Sequence, residues 1–298
     1  MNYNQKLKDF LNKKSDLQKI IVIYGPTACG KTGFGIEIAK SINSQIISTD
    51  SRQIYKYLNI GTGKATLEEM SGIKHYMMDI INPDENYSVG EFKKQAENII
   101  LKMQKNGKIP ILVGGTGLYI DSLIYDFNIP EVPADIELRK NLELEAQKYG
   151  NDFIYDKLLE IDRDYALELH PNNLNYIIRA LEVKILTGKS KKDFRSEKKL
   201  KYETLFLTPF NGDREALYNK INLRVSKMFD DGLIDEIKNI LNMGYTKTDF
   251  GFKTIGYKEV LDYLDGQISL EKCINLVKQF NRNYAKRQLT WFGKYKQN

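Results

Sequence analysis

Residues 25 to 32 read Gly25-Pro26-Thr27-Ala28-Cys29-Gly30-Lys31-Thr32, a complete G-x-x-x-x-G-K-[ST] loop, directly after the apolar run Ile20-Ile21-Val22-Ile23-Tyr24. Few folds accept that order. Glycines let backbone N–H groups converge on an anion, the lysine adds a cation, and the last hydroxyl can ligate Mg²⁺. The run before the loop has the continuous apolar pattern of a buried strand, and Phe34, Ile38 and Ile42 continue after it at helical spacing. The loop is therefore read as a diphosphate cradle. Alone it points to a bound nucleotide, ATP first, but it does not specify which phosphate compound it holds.

The rest of the chain alternates in the same way. A helix over 32–41, a strand over 45–48, a helix over 89–106 and a strand over 109–113 give parallel α/β order. Ser88-Val89-Gly90-Glu91 forms a capping box ahead of Phe92, Ala96, Ile99 and Ile100, and Gly107 ends that helix. After Tyr125 the character changes. Pro130 and Pro133 punctuate, and helical patterns run through Leu138, Leu142 and Leu144, through Tyr155, Leu158, Leu159 and Ile161, and through Ile177, Leu181 and Ile185. An apolar strand over 205–208 returns the chain to the sheet, followed by helices over 214–230, 233–241, 257–264 and 270–291. The expected organisation is a first part of the core over 1–127, an inserted helical domain over 128–199, and the second part of the core with basic C-terminal helices over 200–298.

Composition narrows the function classes. With 42% hydrophobic and 28% charged residues the chain is ordinary for a globular protein. No stretch approaches the about 18 apolar residues of a membrane span, and the N-terminus has no apolar signal core, so a cytoplasmic protein is expected. Cys29, Cys273, His75 and His170 show no short metal-ligand spacing. The net charge of +6 is mild but uneven. Lys272, Lys278, Arg282, Lys286, Arg287, Lys294 and Lys296 crowd the last segment against Glu271 alone. A second run, Lys189 to Lys201, reads as a solvated linker. A basic surface supports nucleic-acid binding only weakly by itself.

Two features depart from a generic nucleotide phosphotransferase. Asp50 follows the strand Gln45-Ile46-Ile47-Ser48, at the carboxyl end where open α/β sheets gather ligands. There it can act as a base, hold Mg²⁺ or cap a helix. The strand Ile109-Pro110-Ile111-Leu112-Val113 runs into Gly114-Gly115-Thr116-Gly117-Leu118-Tyr119 instead of ending in the Walker-B aspartate of nucleoside triphosphatases.

At this point several motifs occur in order: GPTACGKT from Gly25, DSRQIY from Asp50, NIGTGK from Asn59, LVGGTGLY from Leu112, HPNN from His170, RALE from Arg179, IGYKE from Ile255 and AKRQ from Ala285. Together they resemble the tRNA dimethylallyltransferases over about residues 20 to 293. The resemblance implies a P-loop NTPase-like parallel sheet core flanked by helices, with an inserted all-helical domain. It also implies transfer of a dimethylallyl group from dimethylallyl diphosphate to N6 of adenosine 37 beside the tRNA anticodon, in tRNAs reading codons that begin with U, with Mg²⁺ as cofactor. No membrane or obligate protein partner is expected, and the chain is expected to be a monomer.

By the same resemblance Asp50 is the catalytic base, and Thr27 and Arg224 act on the departing diphosphate. Gly25, Pro26, Thr27, Ala28, Cys29, Gly30, Lys31 and Thr32 bind that diphosphate, and Thr32 ligates Mg²⁺. Asp50, Ser51, Arg52, Gln53, Thr116, Arg139, Asn175, Arg179, Lys253, Lys258, Arg282 and Lys286 approach the tRNA. Arg282 and Lys286 share one helix face, and Phe280 and Tyr284 share another available for packing or stacking. Two positions depart from the family pattern: Tyr176 stands where relatives usually carry Arg, and Cys29 replaces a common Ser. His75 has no assigned role and reads as structural. An adenylate isopentenyltransferase and a small-molecule P-loop kinase remain as alternatives. The long insertion and basic tail favour a macromolecular acceptor over the first, and the second should show lid arginines.

Overall fold

In the computed structural model, which describes residues 3–125, 132, 134–194 and 199–297, the apolar runs read above become the strands of one sheet. Helix α1 (Tyr3–Asn12) precedes strand β1 (Lys19–Tyr24), helix α2 (Lys31–Ser41), strand β2 (Ile46–Ser48), the short helix α3 (Leu67–Met70), strand β3 (His75–Tyr76), helix α4 (Val89–Lys105), strand β4 (Ile111–Gly114) and helix α5 (Gly117–Ile124). Helices α6 (Ile136–Tyr149), α7 (Asn151–Ile161), α8 (Arg163–Ala166) and α9 (Leu174–Thr187) follow. Strand β5 (Glu203–Leu207) leads to α10 (Arg214–Asp230), α11 (Leu233–Asn242), α12 (Tyr257–Leu264) and α13 (Leu270–Phe292). The chain divides into two compact units, one of Met1–Tyr125 with Leu200–Asn298 and one of Asp126–Lys199. The punctuating Pro130 and Pro133, and Arg195, Glu197 and Lys198 of the second basic run, lie outside the described residues.

The first unit holds a parallel sheet in the order β3-β2-β4-β1-β5. Its central strands are apolar without interruption because both faces are covered. Ile20, Val22, Tyr24, Ile47 and Leu112 pack with Phe92, Ala96 and Ile100 of α4 and with Ile120 and Leu123 of α5. The alternate residues Ile21, Ile23, Ile46, Ile111 and Val113 pack with Ile36, Ile38 and Ala39 of α2 and with Leu7 and Phe10 of α1. Helices α10 to α13 build a further core with Ile54, Tyr55 and Leu58. At the start of α4 the capping box closes in both directions, Glu91 N–H donating to Ser88 Oγ at 3.2 Å and Ser88 N–H donating to Glu91 Oε2 at 2.7 Å. Among the described residues no helix is long and apolar enough to cross a membrane.

The second unit packs Leu142, Ala146, Ile154, Leu158, Ile177 and Leu181 into its own core and also holds a fully buried carboxylate, Glu182. That carboxylate accepts from Arg139 Nε at 2.8 Å and Nη2 at 2.7 Å, from the Asp135 N–H at 2.8 Å, and from Arg179 Nη1. Burial opposes ionisation, but the two guanidiniums hold Glu182 below the ordinary carboxylate range. The described part of the second basic run is more ordered than a solvated linker: residues Lys191–Phe194 form a 3₁₀ turn, and Lys192 pairs with Glu168 at 3.4 Å.

Candidate active site

The cradle forms because β1 ends at Tyr24 and α2 cannot begin until Lys31. Gly30 sits at the N-cap with φ +89°, a left-handed conformation that favours glycine, and no side chain caps the helix. The first-turn N–H groups of α2 are thus left for an anion. Lys31 folds back over the loop, its Nζ donating to the Pro26 carbonyl at 2.7 Å. Burial lowers the Lys31 pKa, and Arg224 adds to that while Cys29 and Asp50 oppose it. Burial pushes the Cys29 thiol up, so it stays protonated near neutrality.

Facing the cradle, β2 ends and Asp50 follows. No helix starts there. The carboxylate instead closes a turn, Oδ1 accepting the Arg52 N–H at 2.9 Å. The next residue, Ser51, donates its N–H to Thr116 Oγ1 at 3.0 Å, and the Thr116 N–H donates to the Thr49 carbonyl at 3.1 Å. The loops after β2 and β4 are therefore stitched together beside Asp50. Gln53 lies close by, its Oε1 accepting from Ser48 Oγ at 3.2 Å.

Arg224 reaches in from α10. Its Nη1 donates to Thr27 Oγ1 and its Nη2 to the Thr62 carbonyl, both at 3.3 Å. Burial lowers its pKa, and the Asp50 charge is the leading influence in the other direction. The loop that carries Thr62 is held by Glu236 of α11, which accepts from the N–H groups of Asn59 at 3.0 Å and Ile60 at 2.8 Å and from the Tyr257 hydroxyl at 2.5 Å.

From α13, Tyr284 and Gln288 occupy one face at a spacing of four residues. Burial, with the Asp50 charge adding to it, pushes the Tyr284 pKa up to about 12, while the Thr116 hydroxyl works the other way. Gln288 is only 4% exposed. Together these elements enclose a cavity of about 400 Å³ lined by Thr27, Lys31, Thr32, Asp50, Gln53 and Arg224 among others.

The remaining candidate residues sit elsewhere. Lys253, Lys258 and Lys286 are exposed, and Arg282 is half-buried with Nη1 donating to Asn222 Oδ1 at 2.6 Å. In the helical unit, Asn175 is exposed on α9, while Arg139 and Arg179 share Glu182. Tyr176 is exposed beneath Lys191, whose Nζ lies 5.2 Å from the ring centroid. Sequence reasoning missed Gln288, Glu236 and the carbonyl of Thr62. For Gln288 the clue was its place four residues after Tyr284 in the AKRQ stretch; for Glu236 there was none. His75 lines the same cavity; its Nδ1 lies 2.9 Å from the Ile73 carbonyl, and burial keeps the ring neutral near pH 7.

The sequence profile of the IPP transferase family matches residues 53–295. The tRNA dimethylallyltransferase of Alkaliphilus oremlandii is 48% identical over 93% of this chain and 89% of its own length. The crystal structure of a tRNA isopentenylpyrophosphate transferase from Bacillus halodurans matches at 42% identity and a TM-score of 0.66, covering 92% of this chain and 86% of that one. A eukaryotic dimethylallyltransferase acting on tRNA matches at 32% identity and a TM-score of 0.79, covering 92% of this chain and 70% of that one. A cradle, a facing carboxylate and an arginine around one cavity are thus found in a chain similar along most of its length to these enzymes, and the chain belongs to the IPP transferase family of tRNA dimethylallyltransferases.

Proposed function

We propose that this protein transfers the dimethylallyl group of dimethylallyl diphosphate to N6 of adenosine 37 in tRNAs reading codons that begin with U, releasing diphosphate. The observation that carries the reading is that Lys31 and Thr32 at the α2 N-terminus, Arg224 and Asp50 all line one cavity. Asp50 lines this cavity, so the adenosine reaches it by leaving its stack, which is easiest in a single-stranded loop.

The exocyclic N6 is a weak nucleophile because its lone pair is delocalised into the ring. Asp50 takes the N6 proton as the N6–C1 bond forms. As the allylic C1–O bond breaks, charge gathers on the diphosphate, and the cradle amides, Lys31 and Arg224 stabilise it. Thr27, whose hydroxyl accepts from Arg224, orients that guanidinium toward the leaving oxygens.

The donor set suits Mg²⁺. Thr32 supplies one hydroxyl at the cavity, beside the cradle that would hold the diphosphate. Mg²⁺ is a hard cation that keeps waters and takes phosphate oxygens, so Thr32 beside a diphosphate would hold it. When bound it supplies further neutralisation of the leaving group.

For the tRNA, Ser51, Arg52, Gln53 and Thr116 border the base, and Lys253, Lys258, Arg282 and Lys286 offer cations to phosphates. From the helical unit Arg139 and Arg179 would add cations, and Asn175 a neutral amide donor. A guanidinium has five N–H donors, so pairing with Glu182 leaves donors over for a phosphate. A cytoplasmic monomer is the simplest setting. Incubation with dimethylallyl diphosphate, Mg²⁺ and an anticodon stem-loop containing A36-A37-A38 should yield N6-(dimethylallyl)adenosine. No product, with ATP turnover in its place, would refute the reading.

A further inference from the structure

The two sides of the cavity are not joined only by the sheet. Gln288 Oε1 accepts the Thr27 N–H at 2.8 Å, and Gln288 Nε2 donates to the Gly115 carbonyl at 2.9 Å. The direction of the carboxamide is fixed by its partners, because an N–H only donates and a carbonyl only accepts. Thr27 belongs to the cradle and its hydroxyl meets Arg224. Gly115 precedes Thr116, whose Oγ1 receives the Ser51 N–H next to Asp50. One buried side chain therefore spans from the diphosphate side to the carboxylate side.

The contact with Gly115 leaves no spare room. A Cβ built at Gly115 would lie 2.2 Å from Gln288 Nε2, so the carboxamide rests directly against the backbone of that loop. Gln288 also sits on α13, the helix that carries Tyr284, Arg282 and Lys286. It is buried, each end of its carboxamide has a partner, and it lines the cavity. A polar side chain kept in such a place contributes by fixing geometry.

We infer that Gln288 is a positioning residue that sets the distance between the bound prenyl diphosphate and the acceptor base, by tying the cradle at Thr27 to the Gly115-Thr116 loop that braces Asp50. The inference rests on the proposed reaction. In that reaction the C1–O bond breaks, the diphosphate keeps its electron pair, and either N6 or water forms the new bond to C1. Attack by N6 passes a proton to Asp50. Attack by water gives dimethylallyl alcohol and releases a proton to solvent. Correct spacing favours N6, because a displacement of about 1 Å is enough to lower an oriented reaction by about a hundredfold.

The test uses the full chain with the stem-loop substrate and measures both products. Gln288→Met keeps length and removes both hydrogen bonds. It should lower kcat at saturating substrates by about 10- to 100-fold and raise the ratio of dimethylallyl alcohol to alkylated adenosine by about tenfold, with RNA affinity unchanged. Gly115→Ala pushes the carboxamide from the opposite side and should shift the product ratio in the same direction, which covers the case in which Gln288→Met does not fold. An unchanged product ratio in whichever variant folds, with kcat kept or with only the KM for the prenyl donor raised, would overturn the positioning role while leaving the reaction in place. A wild-type protein that forms no alkylated adenosine would overturn the reaction and this inference together.

Discussion

Glu236 lies outside the cavity, yet its loss should be felt there. Glu236→Ala removes the acceptor for the Asn59 and Ile60 N–H groups at 3.0 and 2.8 Å and for the Tyr257 hydroxyl at 2.5 Å. Asn59 is exposed, so water replaces that partner at little cost. Tyr257 is fully buried, and burial, the leading cause of its raised pKa, persists in the variant, so the hydroxyl stays a donor without an acceptor. An orphaned buried donor costs about 1–3 kcal/mol, and a lost charge-assisted bond from the half-buried Ile60 adds about 1 to 2. The expected destabilisation is about 3 kcal/mol. Urea unfolding of Glu236→Ala, Tyr257→Phe and the double variant should show a coupling of about 1–2 kcal/mol between the two sites. Activity should fall as well, since the loop freed by the change carries the Thr62 carbonyl that receives Arg224 Nη2. We expect kcat per folded molecule to drop about tenfold with RNA affinity intact. A cost under about 1 kcal/mol, no coupling, or an unchanged kcat would refute the chain from Glu236 through the Thr62 loop to Arg224.

Three further expectations follow from the geometry. Asp50→Asn keeps an oxygen for the Arg52 N–H but removes the base, so turnover should fall about 10²- to 10⁴-fold while the stem-loop still binds in a filter or anisotropy assay; retained turnover would leave Asp50 with its turn alone. Glu182→Gln should destabilise the helical unit by about 2 kcal/mol in a denaturant melt, less than the ~3–5 kcal/mol of a fully buried pair because the Arg139 and Arg179 side chains are 35% and 21% exposed and regain water. Because the folded Glu182 pKa is depressed, its contribution is present above the unfolded value of about 4.3 and is lost as pH falls through the folded value, so wild type and Glu182→Gln should converge below that window; a difference that stays constant into acid would contradict the pairing. Neutralising Arg282 and Lys286 together should weaken RNA binding and flatten its dependence on salt, and an unaltered slope would move the RNA surface elsewhere.

The parts of the site that sequence made legible are those whose chemistry is contiguous in the chain. The cradle is eight adjacent residues, and the strand before it announces itself because both sheet faces are buried, which removes the polar alternation of a half-exposed strand. The α4 capping box spans four residues and could be read outright. Asp50 could be placed at a strand end but not assigned its turn. Arg224 carried no local mark, because its partner Thr27 is 197 positions away, and Gln288 is 261 positions from the same residue. Such pairs are set by helix packing, and no spacing rule reports them. Helix α1 and the two-residue β3 escaped for another reason: the first is only ten residues long with two buried apolar positions, and the second offers too few residues to show a period.

The stretch after β4 explains why a nucleotide-type cradle suits alkyl transfer in this chain. In nucleoside triphosphatases the corresponding strand end carries the aspartate that helps hold Mg²⁺. Here a Cβ at Gly114 would stand 2.3 Å from Thr49 Oγ1 and 2.4 Å from its carbonyl oxygen, and one at Gly115 would stand 2.2 Å from Gln288 Nε2. At Gly114 the clash is with the Thr49 backbone itself, so a carboxylate at that strand end is excluded by packing against β2's exit, while at Gly115 a side chain would have to displace the Gln288 carboxamide of α13. The same close approach is what lets the Thr116 hydroxyl reach the Ser51 N–H and brace Asp50. Glycine at β4 and a carboxylate at β2 are therefore one arrangement: the backbone that displaces the metal-side aspartate is the backbone that supports the acceptor-side one. In the proposed reaction this moves the negative charge from the metal side of a nucleoside triphosphatase site to beside the incoming N6, and leaves the cradle facing a diphosphate that only has to depart.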